Sequence, residues 1–381
     1  MNLANAILAA LALLSLALAL WQWIAARRFP LHRRAAETGL APAISLLKPL
    51  KGCDATTAES LQSWLNQNYS GRTQILFGVA DANDPVCEIV REIIAKNPDR
   101  DAQLVICGGV LGANAKVSTL AQLEKLTQHD LILVSDADVR VPSDFLASIV
   151  APLRDEKVGL VNCFYRLANP ATTAMRWEAV AINADFWSQV LQSQTLKPLD
   201  FALGAAMLIR RSALAEIGGF QPLADCLADD YQLGHRIAQN GHRIALCPVV
   251  AECWDAPMNW CGVWKHQIRW ARTIRICQPL PYFFSILSNA TLWPVLWFAI
   301  HPSLDKLNCV LLPFLAFRIT MALYLQKWLT RSYAHDDSWW LVPVKDLLQA
   351  AIWFCAFAGN TVEWRGRKMK LRRDGTLARG K

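Results

Sequence analysis

The sequence predicts an α/β domain on a mainly parallel sheet, carried between N-terminal and C-terminal membrane helices. Three observations predict it. Short apolar segments rich in branched residues alternate with helical stretches of about ten residues, the mark of βαβ units. An uncharged run from Ala4 to Ala26 and three apolar blocks after residue 281 give the chain membrane-like ends. Acidic residues cluster just past the expected strand ends, where open α/β sheets bind their ligands.

The 381 residues suffice for one large domain, and the composition leans towards the lipid phase, with 54% hydrophobic residues, 16 Trp and 18% charged residues. About 20 apolar residues span a bilayer, and the first run reaches that length. No Lys or Arg precedes it, whereas Arg27, Arg28, Arg33 and Arg34 follow it. That asymmetry predicts a signal anchor over 1–26 with residue 27 onward in the cytoplasm. The localisation expected is an integral membrane protein of a bacterial inner membrane or its equivalent. The net charge of +8 does not point to nucleic acid as a partner. The basic residues gather beside apolar segments and in a 361–381 tail (Arg365, Arg367, Lys368, Lys370, Arg372, Arg373), as suits solvent or anionic lipid. The 11 Cys form no C-x-x-C pair, which predicts reduced thiols and no zinc site.

Within 27–280 the elements follow in order. Ala43–Leu50 reads as a strand, Ala55–Asn66 as a helix and Gln74–Ala80 as a strand that ends in the loop carrying Asp81 and Asp84. Val86–Lys96 is helical, Ala102–Cys107 a strand, Gly108–Asn114 a glycine-rich loop and Lys116–Leu126 a helix. Leu131–Val134 is the apolar run before Asp136-Ala137-Asp138. In an extended chain residues i and i+2 point the same way, so both carboxylates would face one site. A polar turn that caps the next helix is the plainer reading of that triplet. Ser143–Leu153 is helical, Gly159–Phe164 a strand, Thr172–Gln192 a long helix and Asp200–Arg211 a small-residue loop running into an apolar strand. Leu227–Gly234 opens a helix whose acidic start, Asp229-Asp230, suits the helix dipole. Trp264–Trp270 is a helix before the region 281–360. There the blocks Tyr282–Ile300, Cys309–Leu325 and Trp339–Ala358 are interrupted by Pro294, Arg318, and Lys345 with Asp346. One of the three is expected to be re-entrant or interfacial, so that the basic tail stays inside.

Taken together, the motifs resemble those of the ceramide glucosyltransferases, glycosyltransferase family 21, close relatives of the large family 2 and its hopanoid-associated branch. The residues that carry the likeness are Lys48-Pro-Leu-Lys-Gly-Cys-Asp54, the Asp81/Asp84 loop, Asp136-Ala-Asp138, Ala228-Asp-Asp-Tyr231, Gln267-Ile-Arg-Trp270 and Trp364-Arg-Gly-Arg367. The resemblance implies a GT-A-type nucleotide-sugar-binding domain, a UDP-sugar donor, a divalent cation (Mg or Mn) and inversion at the anomeric carbon. It also implies a membrane lipid acceptor. By motif, Asp84 with Asp81 would contact the nucleotide, and Asp136 the metal-bound diphosphate with Asp138 beside it. Asp230 would be the base next to Asp229, and Gln267, Arg269 and Trp270 would close over donor and acceptor. Animal members carry Asp-Ser-Gly where this chain has Asp136-Ala-Asp138, and Glu-Asp where it has Asp229-Asp230. That departure leaves open which carboxylate would hold the metal.

The residue types suit the chemistry on their own terms. A lipid hydroxyl is a poor nucleophile and needs a carboxylate to take its proton. A leaving diphosphate gathers charge that a cation, Lys116 or Arg269 can meet. Glucose transfer to ceramide is the leading expectation. N-acetylglucosamine transfer to a hopanoid polyol and processive polysaccharide synthesis are the enzymatic alternatives. A nucleotide-sensing transporter or scaffold, supported by the intramembrane charges Arg318, Lys345 and Asp346, is the alternative without catalysis.

Overall fold

The computed structural model describes residues 3–34, 41–300, 302–331, 336–364 and 367–379. The chain begins with α1 (Leu3–Arg28) and then winds the α/β layers. These are β1 (Ile44–Leu50), α2 (Thr57–Leu65), β2 (Thr73–Val79), α3 (Val86–Lys96), β3 (Asp101–Ile106), α4 (Ala115–Glu124), β4 (Leu131–Ser135) and β5 (Val139–Arg140). There follow α5 (Phe145–Val150), β6 (Val158–Leu167), α6 (Thr173–Val180), α7 (Trp187–Gln194), β7 (Ala206–Arg210), α8 (Arg211–Glu216), α9 (Asp229–Gln239), β8 (Arg243–Cys253) and α10 (Trp260–Cys277).

The eight strands form one sheet in the order β3-β2-β1-β4-β7-β6-β8-β5. Six run in one direction, while β7 and β5 run against their neighbours. The mainly parallel sheet is therefore as expected. The central strands β1, β2 and β4 are buried on both faces, which explains why they read as nearly continuous apolar runs, whereas the edge strand β3 is largely exposed. Leu47, Leu76, Ile132 and Val134 pack on one face with Val117, Leu120 and Leu123 of α4. Leu46, Phe77 and Leu133 pack on the other with Leu61 and Trp64 of α2 and Val90 of α3. Local chemistry starts the helices. Asn114 accepts from the Val117 N–H at 3.2 Å, Thr172 from Met175 at 3.2 Å and Asn259 from Gly262 at 2.9 Å, each filling an orphan donor.

Three departures matter for the site. Between α6 and α7 the helix widens into a π-helical segment, Ala181–Phe186. Strand β8, unseen in the sequence, contains Pro248. Cys163 pairs with Cys247 but Phe164 with Val250, so Pro248 and Val249 bulge out of the ladder, as a proline inside a sheet requires. The segment expected to be a basic tail folds into a three-stranded antiparallel sheet, β9 (Thr361–Trp364), β10 (Arg367–Leu371) and β11 (Leu377–Arg379). Arg365 and Gly366 of the quoted motif lie outside the described residues.

The membrane region comprises α11 (Pro279–Phe284), α12 (Leu292–Ile300), α13 (Leu304–Lys306), α14 (Leu312–Thr330) and α15 (Leu341–Phe357). Among the described residues two helices, Leu3–Arg28 and Leu304–Thr330, are long and apolar enough to cross a membrane. Pro279–Ser288 and Leu292–Ile300 would form a third together, but they meet at a 54° bend. Of the three apolar blocks, the first is thus the bent one.

The charges inside this region have a structural explanation. Arg318 binds Asp185 at 2.7 Å and Asp346 at 2.8 Å, and Lys345 binds Asp346 at 2.5 Å and also reaches Asp185. Thr291 donates to Asp346 at 2.6 Å. Two cations and two anions close on one another, fastening the π-helical segment to α14, α15 and the bend. The charges that supported a transporter or scaffold are thus paired within this clamp. A buried pair left with one partner removed is costly, which suits a clamp whose members come as a set.

Candidate active site

The strand ends and residues of α2, α4, α7, α9 and α10 enclose a cavity of about 830 Å³, within the range of ligand clefts. Its floor is the turn after β4. Val139 N donates to Asp136 O at 3.3 Å, so Asp136-Ala137-Asp138 is a turn rather than an extended run. Both carboxylates line the cavity nonetheless. The two aspartates thus share one cavity, as the i, i+2 spacing predicts, but through a turn rather than an extended run.

Lys116, on the first turn of α4, ties the site together. Its Nζ lies 2.7 Å from Asp136 Oδ1 and 3.1 Å from Asp229 Oδ2. Burial acts to lower its pKa, but Asp136 and Asp229 outweigh this and hold it above the ordinary lysine range. Asp229 is also met by Asn114 Nδ2 at 3.3 Å. Both its oxygens therefore face protein partners. Asp230 differs. It accepts from the Tyr231 N–H at 2.7 Å, and burial, then the neighbouring Asp229, push its pKa up to about 6. A Cβ on Gly204 would come within 2.9 Å of Asp230 Oδ2, so glycine there leaves the carboxylate its space. A carboxylate poised near neutrality at a cavity wall is the kind of group that takes a proton.

The sequence did not single out Lys48, Asp255 or His266 as site residues. Lys48 is fully buried in β1, with Nζ 3.3 Å from Ser135 Oγ, on the Asp136 carbonyl and 5.0 Å above the Trp64 ring. Burial pulls its pKa down to about 7 against the pull of Asp138 and Asp136. Asp138 is pushed up to about 7 by burial, then by Asp136 and Asp255. Asp255 follows β8, and the Trp254 N–H bonds the Asp138 carbonyl at 3.1 Å. Repulsion among Asp136, Asp138 and Asp255, all oxygen donors, fits a hard divalent cation. Among the described residues no three His, Cys, Asp or Glu side chains converge into a cage. Asp136 and Asp138 would thus supply few ligands and leave the rest to phosphate and water, as magnesium favours.

The remaining expected residues divide. Arg269 and Trp270 of α10 line the cavity. Gln267 does not. It is buried and donates to Glu178 at 2.8 Å, anchoring α10 on α6. His266 Nδ1 lies 2.8 Å from the same carboxylate, and its ring meets Trp270 edge-on at 4.5 Å, so Trp270 is held from behind. Asp84 accepts from the Gly52 N–H with both oxygens at 3.0 and 2.9 Å. It stabilises the left-handed Gly52 (φ +67°) in the loop after β1, while Asp81 binds Asn83 N at 2.9 Å. Neither lines the cavity. They shape its rim through backbone.

The cavity's apolar side is made of Phe186, Val190, Phe201 and Leu203. Helix α7, which carries Val190, is hydrogen-bonded to α1: Gln22 donates to Gln192, and Trp21 to Thr195, both at 3.2 Å. The wall of the cavity therefore includes a helix that is itself bonded to α1.

The model of the glycosyl transferase family 21 matches residues 7–377. The chain is 25% identical over 222 residues to ceramide glucosyltransferase 3 of Caenorhabditis elegans, covering 58% of this chain and 48% of that one. To a beta-monoglucosyldiacylglycerol synthase of Trichormus variabilis it is 27% identical over 246 residues, 64% of this chain and 51% of the other. The chain spans about half the length of these curated relatives. A mannosyltransferase of Pyrobaculum calidifontis, solved with GDP-Man and Mn2+, shares 22% identity and a TM-score of 0.56 over 91% of this chain and 97% of its own. That likeness shows a common fold, of the GT-A type.

Proposed function

The chain belongs to glycosyl transferase family 21, and from that premise we propose that it transfers a hexose from a UDP-sugar to a lipid hydroxyl with inversion. Glucose is the sugar proposed and ceramide the first acceptor, in keeping with the name of one relative. Diacylglycerol is the second acceptor to test, from the name of another. The observation that carries the reading is a single cavity holding Asp136 with Asp138, Lys116 and Asp230, with an apolar side that includes Val190 of α7, the helix bonded to α1.

In this reading Asp230 accepts the proton of the lipid hydroxyl as its oxygen bonds to the anomeric carbon. The bond from that carbon to the UDP oxygen breaks, and its electron pair leaves with the diphosphate. Lys116 and Arg269 meet the charge that builds there. A divalent cation held by Asp136 and Asp138 would supply further neutralisation of the diphosphate. Asp229 fixes Lys116 and raises the basicity of Asp230. Trp270, backed by His266, packs against the bound substrates. The catalytic domain faces the cytoplasm, where nucleotide sugars are made.

The test is direct. Full-length protein in detergent is incubated with labelled UDP-glucose or UDP-N-acetylglucosamine and with ceramide, diacylglycerol or a hopanoid polyol, and lipid products are identified by mass spectrometry. Glucosylceramide with release of UDP is the expected result. Absence of UDP release with every lipid refutes the enzyme reading. Product from the hopanoid arm alone moves the assignment to that acceptor.

A further inference from the structure

The C-terminal sheet joins the two parts of the reaction centre that the sequence leaves far apart. On one side it holds the loop that leads into the acid pair. Leu377 N donates to the Asp225 carbonyl at 2.7 Å, Leu227 N to Gly375 O at 3.4 Å, and Cys226 bridges Thr376. Val362, Met369, Leu371 and Leu377 bury one apolar face against Leu227. On the other side it grips α10, the helix of Arg269 and Trp270. Lys265 pairs with Glu363 at 3.0 Å, and Arg272 donates to the Thr361 carbonyl. Trp364, the last residue of β9, packs on the Leu227 cluster and lines the cavity together with Leu227, Ile274 and Cys277.

We propose that Trp364 is a wall against which the apolar part of the acceptor beside its reacting hydroxyl packs, and that this wall favours transfer over hydrolysis of the donor. The inference rests on the glycosyltransfer reading. Its physical basis is placement. Leu227 and Trp364 sit on the acid-pair side of the cavity, two residues or one packed side chain from Asp229-Asp230. An indole presents a large rigid apolar face there at little entropic cost. Without it, water reaches the space beside Asp230. Water can then replace the lipid: its oxygen bonds to the anomeric carbon, its proton passes to Asp230, and the same bond to UDP breaks. Excluding water is what keeps an activated donor for its acceptor.

The experiment measures lipid-linked sugar and free sugar from labelled UDP-glucose, with ceramide in phosphatidylcholine–detergent micelles, for wild type, Trp364→Ala, Trp364→Leu and Trp364→Phe. The ratio of hydrolysis to transfer should rise roughly tenfold in Trp364→Ala, with a raised acceptor KM and unchanged UDP binding. Trp364→Phe should restore both values. Trp364→Leu keeps the apolar packing on Leu227 and gives the same two readouts if the alanine variant folds poorly. Equal loss of transfer and hydrolysis, or an unmoved ratio in a folded variant, overturns the wall. Wild-type protein that neither transfers nor hydrolyses the donor overturns the glycosyltransfer reading itself.

Discussion

Replacing Asp230 by Asn keeps the size of the side chain and its bond from the Tyr231 N–H, and removes proton acceptance. General base catalysis contributes about 10²–10⁴ in rate, so lipid glycosylation should fall by that factor while UDP-sugar affinity survives. The pH profile follows from the same environment. Burial and Asp229 raise the Asp230 pKa to about 6, so the group is about 90% ionised at pH 7 and the rate should fall as pH drops through about 6. Asp229→Asn removes the like charge, and the acid limb should then move below 6 even as the loss of its Lys116 contact weakens the site. Stability runs the other way. A carboxylate whose folded pKa lies above its unfolded value of about 3.9 destabilises the fold as pH rises between the two values. The penalty is complete above 6, at up to about 3 kcal/mol. Asp230→Asn should therefore raise the melting temperature at pH 7.5 and have little effect near pH 4. The assays are turnover with labelled UDP-glucose from pH 5 to 8 and thermal unfolding in detergent. Near-normal turnover in Asp230→Asn, or an unchanged acid limb in Asp229→Asn, would refute the assignment.

Three further outcomes are expected. A chelator should abolish transfer, and Asp136→Asn should weaken UDP-sugar binding only in metal-containing buffer; full activity in excess chelator would return Asp136-Ala-Asp138 to a purely structural turn. Arg318→Met leaves Asp185 and Asp346 to share Lys345, and the loss of about 3–5 kcal/mol expected for a broken buried pair should appear as a lowered melting temperature. An unchanged melting temperature would mean the clamp bears no load. Reporters fused after residue 40 and after residue 381 should both read cytoplasmic, as the basic flank of α1 requires, and an external C-terminal reporter would demand an odd number of crossings after α10.

The sequence by itself determined what depends on neighbours along the chain. Branched apolar runs and intervening amphipathic helices specify βαβ units locally, so the parallel half of the sheet, β1 to β4, was legible. So was α1 as a helix long and apolar enough to cross a membrane, because length and composition along the chain decide that. Asp136, Asp138, Asp229 and Asp230 were legible as site candidates because they stand just past strand ends or at a helix start. The proline of β8 and the alternation of Lys368, Met369, Lys370 and Leu371 hid two strands behind signals that read as breaker and tail.

The tertiary structure decided which charges share a partner. Nothing local tells Lys116 to bridge Asp136 and Asp229, residues 20 and 113 positions away by number, or leaves Asp230 as the member of the pair with space before it. Nothing local turns Gln267 away from the cavity onto Glu178, or pairs Arg318 with Asp185 across the edge of the α/β domain. Those choices rest on desolvation, since a charge taken from water must find a counter-charge wherever the packing of distant elements supplies one. The sequence carries the charges, and only the folded chain sets the distances between them.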